Sequence, residues 1–484
     1  MLVVLGFLMI AVFMVLIMTK RMTPVLALIL VPTVFGLFAG GLLWGGEDHN
    51  LGDMVMKSIG GMSSTAALLM FAIIYFGLMI DVGLFDPLVR FILKALGNDP
   101  AKVVLGTAIL AAAVSLDGDG STTFIVTTAA MLPVYLRLGI SPVVLTCVAG
   151  LANGALNIVP WGGPTIRAAS ALNVSATDIF VPMIPSLLAG LAVAFVFAWL
   201  LGVGERKRLR ALDPIAWAPG AGETISSSTG LDAKTGKGPL GGGLGKALGN
   251  AGQLVKAKAD PADSAMADTV LDPGRPTLRP KLIWFNLGLT VLIMVMLVLD
   301  LIPLPYVFML GSAIALLVNF PKVHDQAKQL IAHAPSVVAV VAMVMAAGVL
   351  TGVLSGTGMV DAMSQWLVNI IPPSLGPFTA VLCGLISIPA TFFMSNDAFY
   401  FGILPVLSKT AENYGIQPVE MARASITGQP VHLQSPLVPA ILLLVSLANV
   451  DLGDHHKKVL WRALVVSLVM LAVGVLVGTI PFGR

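Results

Sequence analysis

Two short polar sequences interrupt an otherwise apolar chain at matching places in its two halves. They are SLDGDGSTTF at residues 115–124 and MSNDAFYF at residues 394–401. An unpaired polar group in the hydrocarbon of a membrane is strongly destabilising, so carboxylates and amides persist there only where they line a protected, partly hydrated cavity. We therefore expect the two segments to form the functional site. A cavity of this kind, used from two sides, is what a transporter needs.

The composition places the chain among membrane proteins. Hydrophobic residues make up 57% of its 484 residues and charged residues 11%, whereas soluble domains carry about 25% charged residues. We predict an all-α polytopic protein of the plasma (inner) membrane, surrounded by the lipid bilayer. The net charge of +3 is small and predicts no nucleic-acid partner. Cys147 and Cys383 lie in apolar runs and predict buried thiols rather than a disulfide or a metal site.

Ten apolar runs are interpreted as transmembrane helices, since a crossing takes about 20 residues. The runs cover residues 3–18, 25–44, 62–85, 143–171, 180–203, 282–301, 307–320, 337–354, 426–450 and 459–480. Lysine and arginine concentrate in the loops of one side, which the positive-inside rule assigns to the cytoplasm. Both termini are then predicted to lie outside.

The polar segments sit near the middle of two further apolar stretches, residues 103–135 and 378–407. Two crossings and a turn would need more than about 40 residues. We therefore predict two re-entrant hairpins that reach the membrane midplane and return. Two ordinary spans joined by a polar loop are the alternative.

A change of composition divides the chain into two halves. Residues 204–281 are rich in Gly, Ser, Ala and Pro and are predicted to form a flexible cytoplasmic linker between residues 1–203 and 282–484. Each half then contains five crossings and one hairpin, and this odd number of crossings makes the halves inverted repeats. The echo of LGISPV at 138–143 in YGIQPV at 414–419 supports the repeat.

The span after each hairpin carries a second interruption. NIVPWGGPT occupies residues 157–165 and TGQPVHLQSPLVP occupies residues 427–439. Paired prolines and glycines disrupt helical hydrogen bonding, and the freed backbone groups need polar partners. We predict two unwound helices that meet the hairpin tips at the midplane. For either interruption alone, a simple proline kink is the alternative.

The four interruptions predict a site for carboxylates, because the N termini of half-helices favour anionic groups. Hydroxyl, amide and backbone groups would bind these carboxylates, namely Ser121, Thr122, Asn157, Gly162, Gly163, Thr165, Ser395, Asn396, Gln434 and Ser435. Arg167 is a further candidate, as a carboxylate clamp or alternatively as a snorkelling interfacial arginine.

Three acidic residues at the hairpin tips, Asp117, Asp119 and Asp397, would repel a bare polyanion. The site therefore needs a cation or protons, and carboxylate oxygens suit Mg²⁺, Ca²⁺ or Na⁺. Asp119, Asp397 and His432 are the candidates for proton coupling, although a hydrogen-bonded structural histidine explains His432 equally well. Asp81 lies at the end of a span and is interpreted as interfacial.

The motifs of membrane-embedded and soluble hydrolases are missing from the sequence. It contains no HExxH and no GxSxG, and its cysteines and histidines are not paired at a catalytic spacing. We therefore predict neither an enzyme nor a resident cofactor. A channel is less favoured than a carrier, because inverted repeats with broken helices are typical of alternating access.

The segments SLDGDGSTTF, NIVPWGGPT, SNDAFYFGILPV and GQPVHLQSPLVPA resemble those of the citrate-metal:proton symporter family, CitMHS, in the ion transporter superfamily. The resemblance implies symport of protons with citrate complexed to Mg²⁺ or Ca²⁺. It also implies an elevator mechanism and a homodimer. Related sodium-coupled carriers have Ser-Asn-Thr at their tips, whereas this chain has Ser395-Asn396-Asp397. A sodium-coupled or metal-free di- or tricarboxylate carrier is the alternative.

Overall fold

The chain folds into helices throughout the part that the structure describes. This computed structural model describes residues 1–19, 21–39, 50–87, 91–92, 97, 99–118, 120–212, 276–299, 301–372 and 374–483, and these residues contain no strand. Among them, eight helices are long and apolar enough to span a membrane, and four shorter apolar helices accompany these. The fold is that of an all-helical, multi-pass membrane protein.

The first half contains ten helices in the described residues. They are α1 (Leu2–Met18), α2 (Pro24–Phe38), α3 (Leu51–Gly61), α4 (Ser63–Asp81), α5 (Pro100–Val114), α6 (Gly120–Leu138), α7 (Pro142–Leu156), α8 (Gly163–Leu172), α9 (Ala176–Phe180) and α10 (Ile184–Leu212).

The second half again contains ten helices in the described residues. They are α11 (Ile283–Leu299), α12 (Leu304–Asn319), α13 (Val323–Gly356), α14 (Met359–Ile370), α15 (Thr379–Phe393), α16 (Leu404–Glu412), α17 (Pro418–Ser425), α18 (Gln429–His432), α19 (Pro439–Leu447) and α20 (Leu452–Leu476). A π-helical segment, Ala398–Ile403, leads into α16. Each of the ten predicted apolar runs overlaps a helix or a pair of helices.

The first polar segment forms the turn between α5 and α6. Asp99 caps α5 by accepting the Ala101 N–H at 3.1 Å, and Pro100 occupies the first helical position, where its missing N–H is not needed. At the turn Gly118 has a φ of 82°, a conformation that favours glycine. The arms Pro100–Asp117 and Gly120–Leu138 are 18 and 19 residues long, and this length fits either a re-entrant hairpin or two crossings.

The helices pack in two groups that meet around α8. In the first group α13 packs against α2, α3 and α4, and α12 packs against α4. In the second group α10 packs against α5, α7 and α20, and α6 packs against α19 from the other half. Helix α8 contacts α13 and α4 of the first group and also α16 and α17. The interface between the groups therefore runs along α4, α8 and α13.

The end of the predicted linker is held against the first group. The hydroxyl of Thr277 donates to the carbonyl of Asp81 at 3.0 Å, and the Arg279 N–H donates to the carbonyl of Val82 at 3.1 Å. The Arg279 Nε also donates to the carbonyl of Asn319 at 2.9 Å. Helix α10 continues to Leu212. Residues 213–275, most of the predicted linker, lie outside the described residues.

Both cysteines are buried, as the sequence predicts. Cys147 is 0% exposed and Cys383 is 1% exposed, and neither forms a disulfide. Cys147 lies in α7, where its thiol contacts the carbonyl of Lys458 in α20. Both side chains therefore behave as small hydrophobic groups in the core.

Candidate functional site

The first helix break separates α7 from α8 and is closed by its own backbone. The Val159 N–H donates to the carbonyl of Leu156 at 3.1 Å, and the Gly162 N–H donates to the carbonyl of Val159 at 2.8 Å. The Thr165 hydroxyl donates to the carbonyl of Ile158 at 2.7 Å. Gly162 and Thr165, both predicted from the sequence, therefore shape the turn itself.

The first break fits closely against the first polar turn. The indole Nε1 of Trp161 donates to the carbonyl of Leu116 at 2.9 Å. A Cβ on Gly118 would lie 2.8 Å from Cδ1 of the same indole, so the close approach requires glycine. The turn between α5 and α6 is thus held beside the gap between α7 and α8.

An ion pair joins α8 to the second polar segment. The Arg167 Nε donates to the Asp397 Oδ1 at 2.5 Å, across 230 residues of sequence, and the two side chains are 23% and 8% exposed. Since burial removes both charges from water, each group depends on the other for compensation. The predicted carboxylate clamp and the predicted cation or proton ligand therefore contact each other.

A network of side-chain amides connects the first break to the second polar segment. The Asn157 Nδ2 donates to the Gln429 Oε1 at 3.2 Å, and the Gln429 Nε2 donates to the Asn396 Oδ1 at 3.3 Å. The same Nε2 lies 2.9 Å from the Tyr400 hydroxyl. Asn157 and Asn396 were predicted from the sequence, whereas Gln429 and Tyr400 were missed. The sequence signal for Gln429 is its position directly before the proline of GQPVH, inside the second helix break.

The second helix break, between α18 and α19, is fastened to α15. The His432 Nδ1–H donates to the carbonyl of Thr391 at 2.5 Å. The Ser435 hydroxyl donates to the carbonyl of Phe392 at 2.6 Å. His432 and Ser435 therefore satisfy the last carbonyls of α15, which would otherwise lack partners.

Gln434 is fastened to α7 and α20. Its Nε2 donates to the carbonyl of Gly150 at 3.0 Å, and its Oε1 accepts from the His455 Nε2 at 3.1 Å. The other ring nitrogen of His455 lies 3.0 Å from the Thr146 hydroxyl. This amide is buried and satisfied by protein groups on both of its ends.

A central cavity of about 270 Å³ lies between the two helix groups. Its wall on α4 and α13 is mostly apolar and includes Phe76 and Met343. The opposite wall comes from the first polar turn and the first break. The polar and small lining residues are Asp117, Gly118, Trp161, Gly163, Arg167, Gly77 and Ser336. The cavity thus meets the Arg167 end of the ion pair.

A second cavity of about 500 Å³ lies further along the same interface. It is bounded by the junction of α3 and α4, the connection from α8 to α9, and residues 303–305. Leu69 and Ile166 line the central cavity, whereas their neighbours Leu68 and Ala169 line the second one. The two cavities therefore lie on either side of one contact between α4 and α8.

Other predicted site residues lie close to the polar turns. Ser121 and Thr122 are buried in the first turn of α6 and interact with protein groups, as does Asp117. The Ser395 hydroxyl accepts the Ala398 N–H at 3.2 Å and so caps the second polar segment.

The structure describes two of the three predicted cation ligands, Asp117 and Asp397. Asp119 lies outside the described residues. Within the described part of the chain, no three His, Cys, Asp or Glu side chains come together as a metal site. A cation shared by Asp117, Asp119 and Asp397 stays a prediction.

The chain has relatives among citrate transporters. The citrate transporter family CitMHS matches residues 3–428. The chain is 44% identical over 482 residues to the citrate transporter of Bacillus subtilis (strain 168), with 100% of each chain covered. It is 43% identical over 480 residues to the Mg(2+)/citrate complex secondary transporter of the same organism, with 99% of each covered. The crystal structure of the Alcanivorax borkumensis YdaH transporter aligns with a TM-score of 0.48 and 15% identity, over 93% of this chain and 95% of that one.

Proposed function

This chain belongs to CitMHS, the citrate transporter family, and from that premise we propose a secondary carrier that moves citrate complexed with Mg²⁺ or Ca²⁺ together with protons. The observation that carries the proposal is the Arg167–Asp397 pair at the edge of the central cavity. A relative with 43% identity, the Mg(2+)/citrate complex secondary transporter, supports the choice of substrate.

A metal–citrate complex matches the two charges of this pair. The complex presents a divalent cation and free carboxylate oxygens together, so it can offer a cation to Asp397 and a carboxylate to Arg167. Both protein charges then remain compensated when they separate from each other, which is the condition for stability in a buried site. Citrate without a metal would leave Asp397 facing further negative charge.

The remaining predicted ligands complete the proposed binding site. Asp117, Asp119 and Asp397 would supply oxygen ligands, which Mg²⁺ and Ca²⁺ prefer. The hydroxyl, amide and backbone groups around them would bind carboxylates and the citrate hydroxyl. These groups are Ser121, Thr122, Asn157, Gly162, Gly163, Thr165, Ser395 and Asn396. The metal is part of the substrate in this proposal, and proton coupling is assigned to Asp119, Asp397 and His432.

We propose that the two halves are inverted repeats with re-entrant hairpins. In the first half a helical pair, α5 and α6, precedes a broken span, and the pair α15 and α16 precedes the broken span of the second half. The first polar turn contacts the gap in the middle of the α7–α8 span through Trp161. A turn held at this level supports a hairpin that stops halfway across the membrane.

An elevator mechanism is the proposed way of moving the site. The two cavities lie at opposite sides of the contact between α4 and α8. Sliding the second helix group along α4 and α13 would open the bound complex first to one cavity and then to the other. In this proposal α4 and α13 belong to a static scaffold that forms a homodimer, and both termini lie outside.

Uptake into liposomes tests the proposal. The purified protein is reconstituted, and initial uptake of radiolabelled citrate is measured with Mg²⁺, with Ca²⁺, with a chelator and with a sodium gradient. We expect saturable uptake and counterflow that require a divalent cation and are lost with the chelator. Uptake that ignores chelation would refute metal–citrate transport, and uptake driven by sodium would favour the sodium-coupled alternative. Flux without saturation or counterflow would indicate a channel.

A further inference from the structure

A buried acid and a buried imidazole face each other behind the wall of the central cavity. Asp81 is the last residue of α4, and its Oδ2 lies 3.1 Å from the Nε2 of His333 in α13. Each residue is 5% exposed. Asp81 is therefore buried in the protein, and the interpretation of this residue as interfacial was wrong. Ionisable groups buried within a membrane protein are costly and are typical of ion and proton pathways.

The imidazole reaches the cavity wall through a glycine. A Cβ on Gly77 would lie 2.5 Å from both Cε1 and Nδ1 of His333, so only glycine admits this edge of the ring. Gly77 and Ile80 of α4 line the central cavity, as does Ser336, three residues after the histidine. The residues that line the central cavity thus separate the pair from the proposed substrate site.

From this geometry we infer that Asp81 and His333 bind the proton that travels with the citrate complex. The inference rests on the proposed function and deepens it. Because Nε2 faces the carboxylate, the ring gains and loses the proton at Nδ1, the nitrogen beside Gly77. This assignment adds Asp81 and His333 to the residues proposed above for proton coupling. Unlike the imidazole of His432, which lies against the carbonyl of Thr391, that of His333 lies against a carboxylate.

The charge of the pair couples the proton to the substrate. When the ring is protonated, the charges of the imidazolium and the carboxylate sum to zero. When the ring is neutral, the pair has a net charge of −1. A substrate complex with net negative charge is repelled by the second state and not by the first. Protonation and substrate binding therefore favour each other, and the coupling is reciprocal.

The other charged and titratable groups near the pair come from the described elements that pack against α4 and α13. Helices α2 and α12, which pack against α13 and α4, carry no acidic, basic or histidine side chain. The guanidinium of Arg279 is directed to backbone carbonyls. The other charged or titratable groups on α4, on α13 and on the described elements packed against them are Asp53, Lys57, Tyr75, Asp86, Asp117, Arg167, Tyr306, His324, Asp325, Lys328, Asp361 and Tyr400.

The test separates accumulation from exchange. Wild-type protein and His333→Gln are reconstituted, and labelled citrate with Mg²⁺ is followed under an inward proton gradient and, separately, in exchange without a gradient. We expect His333→Gln to lose gradient-driven accumulation by at least about tenfold, within the usual range of coupling between sites. Its rate of exchange at saturating citrate and Mg²⁺ should stay within about threefold of wild type, because saturation offsets the weaker binding beside the unpaired charge of Asp81. The KM for exchange should also become insensitive to pH. His324→Gln, an exposed histidine on the same helix, is the matched control and should behave as wild type.

The outcomes distinguish this inference from the proposed function. Accumulation by His333→Gln equal to that of wild type would overturn the inference. If that variant does not reach the membrane, Asp81→Asn, which is similar in size, is used instead with the same expected loss. Wild-type protein that neither exchanges nor accumulates metal–citrate would refute the proposed function instead.

Discussion

The two broken helices have similar sequence signatures but different surroundings. The first break is closed by backbone hydrogen bonds and places Trp161 and Arg167 on the central cavity. The second break directs Gln434, Ser435 and His432 into α7, α15 and α20. The likeness of the two motifs therefore does not imply equal roles. In our interpretation the first break contacts the substrate, and the second anchors the helices around it.

Side chains from α20 account for much of this difference. His455 contacts the Gln434 side chain, and the Nε2 of the neighbouring His456 lies 2.8 Å from the Gln434 carbonyl. A buried amide with all its partners in place is costly to free, because each lost partner leaves an unsatisfied group. Within the described residues Arg167 instead has one charged partner, Asp397, whose place a substrate carboxylate could take.

The largest effect is expected at the ion pair. Arg167→Gln removes the compensation for buried Asp397, and we expect the kcat/KM for citrate uptake with Mg²⁺ to fall by about 100-fold or more, or about 3 kcal/mol. Initial uptake rates in liposomes measure the loss. Arg423→Gln is the matched control, because that guanidinium donates to a backbone carbonyl of Asp178, and its loss should be less than about fivefold. Equal losses would show that the ion pair with Asp397 has no special role in transport.

An intermediate effect is expected from Gly162→Ala. The new Cβ would lie 2.5 Å from the carbonyl oxygen of Asn157 and 2.9 Å from that of Val159, so the turn must shift. We expect uptake to fall by about tenfold, since small displacements of a positioned group are expensive. Gly288→Ala in α11, with nothing within 4 Å, is the control and should transport normally. A wild-type rate for Gly162→Ala would show that the shape of the first break is not critical.

The smallest effect on transport is expected from Gln434→Leu in the second break. Losing the amide leaves the Gly150 carbonyl without this donor, so we expect a loss of stability of about 1–3 kcal/mol. The KM for citrate should change by less than about twofold, because this amide is held by protein groups. Thermal unfolding in detergent and uptake kinetics measure the two quantities. A KM raised by about tenfold would show that Gln434 is a substrate ligand and would remove the contrast between the two breaks.

Local features of the fold could be predicted from the sequence. Apolar runs and Pro/Gly clusters act on the segment that contains them, so the spans and the break after Leu156 follow from hydropathy and backbone chemistry alone. Helix α3 was missed, because Asp53, Lys57 and Ser58 dilute its apolar character. Its packing against α13 supplies the stability that hydropathy does not reveal.

The pairing of charges could not be predicted in the same way. Arg167 and Asp397 are 230 residues apart, and Asp81 and His333 are 252 residues apart. Each residue type was visible in the sequence, but only tertiary packing decides which partner it meets. The orientation of Gln434 was equally open, because an amide binds a carboxylate or a backbone carbonyl with similar geometry.

The burial of Cys147 and Cys383 has a practical consequence. With 0% and 1% exposure, the native thiols are shielded from bulky reagents, and the chain contains no other cysteine. A cysteine introduced into any loop would then be the one thiol open to a membrane-impermeant maleimide. Labelling of intact cells can therefore assign each loop to its side of the bilayer without first removing the native cysteines.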